Sequence, residues 1–221
     1  MSHSFPEPSK SPDIPPLFLF VPAGILLNLG GVFLNETFSL PLFLDSTGTI
    51  LAAVVLGPWL GAAVGFFSNL VIGLAITPIA IPFGIVNAAI GLIAGAMARR
   101  WGFRDLRVPG ALVLALTAFC PLLATPIAVY LFGGVTGGAL DRYWAVLVQS
   151  GHQVFSSAFL VRLPATFADK LIGVAFAWVF VRCLPPRWRG LAEPPPRTAG
   201  SDPGPKSKPN SKSISGPDSA P

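Results

Sequence analysis

Between Leu17 and Ala98 the chain carries only two charged residues, Glu36 and Asp45. Soluble domains are about a quarter charged, so this exclusion constrains the fold more than any other feature. Such a stretch belongs in lipid, where each retained charge needs a partner or a task. Composition extends the inference to the whole chain, which is 52% hydrophobic and 11% charged, with a mean hydropathy of +0.66. In lipid the backbone must satisfy its own hydrogen bonds, as helices or as a closed barrel. No segments alternate at the ~10-residue spacing of a membrane barrel. The expected fold is therefore an all-α integral membrane protein.

The stretch from Leu44 to Asn69 sets the frame. Asp45 is expected to act as a helix N-cap, its carboxylate accepting from the first free N–H groups. Gly57 suits the end of that helix and Pro58 the first turn of the next. Six spans are expected: Leu17–Leu34, Ser46–Leu56, Trp59–Ile76, Pro82–Ala98, Gly110–Phe132 and Leu163–Cys183. Pro121 and Pro126 are expected kink points in the fifth. Ser46–Leu56 would rise only about 16 Å, roughly half the hydrocarbon thickness. The apolar Pro41–Leu44 must then enter non-helically, sheltered by protein. The polar residues 1–16 and the Pro/Ser/Lys-rich residues 185–221 cannot bury a core and are expected to be disordered, flanking one membrane domain over 17–184. No secretory leader is recognisable, so the first span is expected to stay uncleaved.

Gly133–Arg162 is too polar for an easy span and too apolar for a plain loop. Arginine placement decides its topology. Arg99, Arg100, Arg104 and Arg107 mark one loop as cytoplasmic, and Arg182, Arg187, Arg189 and Arg197 mark the C-terminus as cytoplasmic too. An even number of crossings must separate them, so residues 140–160 are expected to form a re-entrant or surface-lying amphipathic helix between the fifth and sixth spans. Both termini are then inside. Glu36, Asp45, Thr77, Asp141, Arg142, Trp144, His152 and Arg162 fall towards the outer face. The net charge of +5 comes mostly from the arginine loops and the tail, and does not imply nucleic acid.

Several chemistries lack their residues. Cys120 and Cys183 are far apart and read as core filler, not as a disulfide or metal pair. Only one histidine, His152, lies outside the N-terminal tail, so no metal is expected. No phosphate loop with its lysine is present, and no nucleophile–base pair is recognisable, so neither catalysis nor a cofactor is expected. The small-residue ridges Gly57/Gly61/Gly65 and Gly91/Gly95 let helices approach closely in lipid; they read as internal packing, or as docking for another subunit where they face outward. Asn28, Asn69 and Asn87 are expected to be buried amides. Asp169 and Lys170, adjacent on a helix, point in different directions and are not expected to pair with each other. The candidate substrate pocket combines Asn87, Tyr130, Trp144, His152, Gln153, Asp169 and Lys170, with Trp144 and Tyr143 stacking on a flat ring.

Three stretches, LDSTGTILAAVVLGPWLGAAVGFFSNLVIGL, FGIVNAAIGLIAGAMARRWGF and FADKLIGVAFAWVFVRCLPPR, resemble the substrate-binding S component of energy-coupling-factor (ECF) transporters. The resemblance covers about Leu17 to Arg187. It implies a six-helix subunit in a prokaryotic cell membrane that captures a vitamin or similar micronutrient from outside, under the loops after spans 1, 3 and 5. Here these are Glu36–Leu44, Thr77–Pro82 and Gly133–Arg162. It also implies partners: a membrane coupling subunit and two cytoplasmic ATPase subunits. One departure stands out. An Ala-x-x-x-Ala docking motif in the first helix would be broken here at Leu27 or Asn28. The alternatives are a ligand-sensing membrane module and a standalone secondary carrier.

Overall fold

A computed structural model describes residues 16–184. The termini expected to be disordered, with Arg187, Arg189 and Arg197, fall outside the described residues apart from Pro16. Within them the chain forms seven helices and no strand: α1 (Pro16–Phe38), α2 (Thr47–Leu56), α3 (Pro58–Ala75), α4 (Ala80–Trp101), α5 (Arg107–Phe132), α6 (Asp141–Gln149) and α7 (Val154–Cys183). Five of them, α1, α3, α4, α5 and α7, are long and apolar enough to cross a membrane, while α2 is apolar but short. The architecture is that of an all-α, multi-pass membrane protein.

The turn between α2 and α3 forms as its sequence dictates. Gly57 takes φ 102° and Pro58 opens α3 at its first position. Arg99 donates to the Leu56 carbonyl at 2.9 Å, answering one of the free carbonyls at the end of α2. Arg182 and Trp178 both donate to the Arg104 carbonyl, at 3.1 and 3.3 Å, and Arg182 stacks on Trp178. This arginine-bearing end lies opposite the end that gathers the α1–α2 connection, the α3–α4 turn and residues 133–153.

α2 is short, as expected, and Ser39–Ser46 leads into it without helix. The cap differs from expectation. The helix starts at Thr47, and Ser46 occupies the N-cap without a side-chain capping bond to the helix. Asp45 lies one residue too early; its carboxylate sits beside Asn69. The free N–H of Gly48 is instead bonded by Asn28 of α1, Oδ1 accepting at 2.7 Å. The Asn28 amide then donates to Thr49 Oγ1 at 2.8 Å and Ser68 Oγ at 3.0 Å. One buried amide thus ties α1, α2 and α3 together.

Both glycine ridges face inward. A methyl group added at Gly61 would overlap Ala53 of α2, at Gly65 the Asn87 backbone of α4, at Gly91 the Gly61–Ala62 backbone, and at Gly95 Pro58. α3 is therefore packed backbone to backbone between α2 and α4, and neither ridge is free to dock another subunit. Gly24 and Gly48 make the same approach between α1 and α2.

Two boundaries move. α1 runs on to Phe38, which puts Glu36 on its last turns and not in a loop. α7 begins at Val154, well before Leu163, because the helix passes straight through Pro164. A proline costs one N–H and one backbone bond but does not have to end a helix, and lipid removes water as the competing partner. Of the helix expected over residues 140–160, only the nine-residue α6 forms, with no buried residue; residues 154–160 belong instead to α7. At about 13–14 Å α6 is too short to cross. Cys120 is buried as expected, whereas Cys183 is exposed and fills no core.

Candidate functional site

Polar side chains gather where α2 begins, in the middle of the bundle. Asn28, Ser46, Thr49, Ser68, Asn69, Asn87, Asp169 and Lys170 are all buried. Buried polar groups are costly without partners, and these are wired together. Lys170 Nζ donates to Ser46 Oγ at 2.6 Å. Asp169 Oδ1 accepts from the Leu44 N–H at 2.9 Å, holding Leu44 at φ 48°, a left-handed conformation that leucine rarely adopts. Asp169 and Lys170 also form an ion pair with each other, contrary to the sequence expectation. Adjacent Cβ atoms do diverge on a helix, but the flexible four-carbon lysine stem lets the ammonium bend back. Both groups are drawn to the same polar start of α2, where their other partners lie.

Above this cluster is a cavity of about 280 Å³. Its wall takes residues from the end of α1, with Asn35 and Glu36, and from three connections: Leu42 to Asp45, Thr77 to Ile79, and Thr136 to Leu140. A smaller space of about 50 Å³ continues below, reaching Asn87, Thr166 and Lys170. Phe43, Asp45, Phe83 and Arg162 line both, so these four form the neck. Together the two spaces stand at the low end of the ~300–1,000 Å³ of small-molecule sites.

The wall presents unmatched polar atoms. Asn87 Nδ2 donates to the Asp45 carbonyl and to Asn69 Oδ1, both at 2.8 Å. Those two acceptors fix which way the amide points and leave Asn87 Oδ1 without a donor. Asn35 Oδ1 and Arg162 Nε are also buried without partners. All three atoms belong to residues of the cavity walls.

The candidate pocket residues divide into two groups. Asn87 and Lys170 line the lower space, and Asp169 stands behind Lys170. The other four line neither space. Tyr130 is 80% exposed on α5. Trp144 covers Gly134 and donates to the Val154 carbonyl at 3.4 Å. His152 and Gln153 are exposed just before α7. Tyr143 is also exposed and borders an apolar groove between α6 and α7. The aromatic residues at the neck are instead Phe43 and Phe83, the latter stacked on Phe132 at 6.3 Å. Phe43 was visible as part of the sheltered apolar lead-in, and Arg162 as one of the charges falling towards the outer face; nothing marked Phe83 as a residue of the neck.

The fold and cavity together define a multi-pass helical bundle with a largely apolar chamber that carries a few polar groups and opens towards one end. Comparison with protein-family models, with curated proteins and with solved structures finds no match for the chain.

Proposed function

We propose that this chain is the substrate-capture (S) subunit of an uptake transporter of the ECF type, binding a small water-soluble micronutrient. One observation carries the reading. The chamber is walled by the three connections, after α1, after α3 and after α5, that the resemblance assigns to capture. Its volume suits a vitamin-sized molecule, and its unmatched polar atoms await partners. The chain performs no catalysis. It works in a prokaryotic cell membrane with a coupling subunit and two ATPase subunits that supply the energy. It crosses six times, α2 and its non-helical lead-in counting as one pass, with both termini cytoplasmic.

The test is mass spectrometry of small molecules released from the chain purified in mild detergent, against an unrelated membrane protein handled identically. A near-stoichiometric small molecule is expected. Vesicles containing the chain alone are expected not to accumulate it; accumulation would replace the capture subunit with a self-sufficient carrier.

The orientation has its own check. Cysteines are placed singly at Val135, Ser150 and Asp105, all exposed, in a Cys120→Ala/Cys183→Ala background. An impermeant maleimide added to whole cells is expected to label the first two, and Asp105→Cys only after permeabilisation. The reverse pattern inverts the topology.

A further inference from the structure

Arg162 is a cation without a counter-ion. It is 4% exposed on α7 and lines both the chamber and the space beneath it. Its guanidinium makes one weak contact, donating to the Ala158 carbonyl at 3.3 Å, and its Nε has no partner. Among the described residues no carboxylate oxygen forms an ion pair with it. The acids around it are otherwise engaged or set apart. Asp141, whose field reaches Arg162, accepts from the Thr136 and Gly137 N–H groups at 2.9 and 2.6 Å. Asp45 sits beside Asn69, and Asp169 is taken by Lys170 and Leu44. A buried charge left unpaired is strongly unfavourable, and a guanidinium is shaped for two parallel bonds to a carboxylate.

We propose that Arg162 is the carboxylate-binding subsite of the chamber, and that its occupant is a small monocarboxylic acid that also carries N–H or O–H donors. The donors follow from Asn35 Oδ1 and Asn87 Oδ1, two wall acceptors with nothing to accept. The single negative charge follows from the remaining wall. Glu36 and Asp45 line the same chamber, and the other wall cation, Lys170, is already committed to Asp169 and Ser46. A phosphate dianion would bring two negative charges towards those carboxylates with one unengaged cation to receive them, whereas a monocarboxylate brings only the one charge that Arg162 can pair.

This inference rests on the capture reading, and its test separates the two. Thermal-shift and calorimetric titrations of the full chain in detergent use three acids with their neutral counterparts: biotin and biotinamide, pantothenate and panthenol, p-aminobenzoate and p-aminobenzamide. At least one acid is expected to bind, with its neutral counterpart about tenfold weaker or worse. Arg162→Gln is expected to erase that difference, and Arg162→Lys, which keeps the charge without the fork, to retain part of it. Unfolding curves without any probe establish that each variant is folded. Equal binding of an acid and its neutral counterpart, or undiminished acid binding by Arg162→Gln, overturns the subsite and leaves capture standing. If none of the three acids binds the parent chain, the subsite falls. Capture then stands or falls separately, on whether a small molecule is released from the purified protein.

Discussion

Lys170→Met is expected to destabilise the detergent-solubilised chain by about 3–5 kcal/mol, the cost of leaving a buried charge without its partner. Asp169 and Lys170 have side chains 0% and 3% exposed, so no solvent replaces the lost ammonium. The damage spreads, because Asp169 also holds the Leu44 N–H and Ser46 Oγ loses its donor. The whole non-helical lead-in to α2 is therefore anchored on this pair. The double variant Asp169→Asn/Lys170→Met should recover to within about 2 kcal/mol of the parent. It removes both charges and keeps an oxygen for Leu44. Equilibrium unfolding of all three proteins decides the matter: a single variant no less stable than the double would show that the pair contributes nothing by being charged.

Gly91→Ala is the second large effect, about 3 kcal/mol, at the top of the overpacking range. The added methyl would meet the backbone of Gly61 and Ala62, which cannot rotate away as a side chain could, so α3 and α4 must separate. Gly30→Ala provides the internal contrast. Nothing lies within 4 Å of a methyl there, and alanine is the better helix former, so that variant should gain about 0.5–1 kcal/mol. The same substitution in two helices of one bundle is thus expected to act with opposite sign. Loss of stability at both positions would mean that helix separation is not what Gly91 governs.

These two sites also mark what the sequence made legible. Depth along the membrane normal follows from where charges are missing, and so the short α2, its non-helical entry and the Gly57–Pro58 turn could all be read. Small-residue spacing showed that close helix packing would occur. Rotation about each helix axis was not legible, since in lipid every face of a helix is apolar and the amphipathic signal that orients a soluble helix is lost. Tyr130 illustrates the consequence. Its depth suited the pocket, but it lies on an outward face of α5.

The remaining differences have local causes. The sixth span was expected to begin at Leu163, and only the packed bundle makes Pro164 an interior residue of α7. Asp45 looked like a cap because the residue types fit, yet Asn28 does that work from another helix, a contact that no local pattern encodes. Asp169 and Lys170 were located in depth but not in pairing, since Cβ direction says little about where a long lysine stem ends. Arg162 was visible as a charge; that it lacks a counter-ion is a property of the assembled walls alone.

The adjacency of Asp169 and Lys170 has a meaning for biogenesis. A single charge at the centre of a helix entering the bilayer costs about 2.5–3.5 kcal/mol on insertion scales. Were the two groups on different helices, each segment would be delivered from the translocon bearing its own bare charge, to be neutralised only after the bundle had assembled. Here the counter-ion is the next residue in the chain. Neutralisation requires no tertiary partner, and the nascent α7 can be handed to lipid as a zwitterion before it packs against α2.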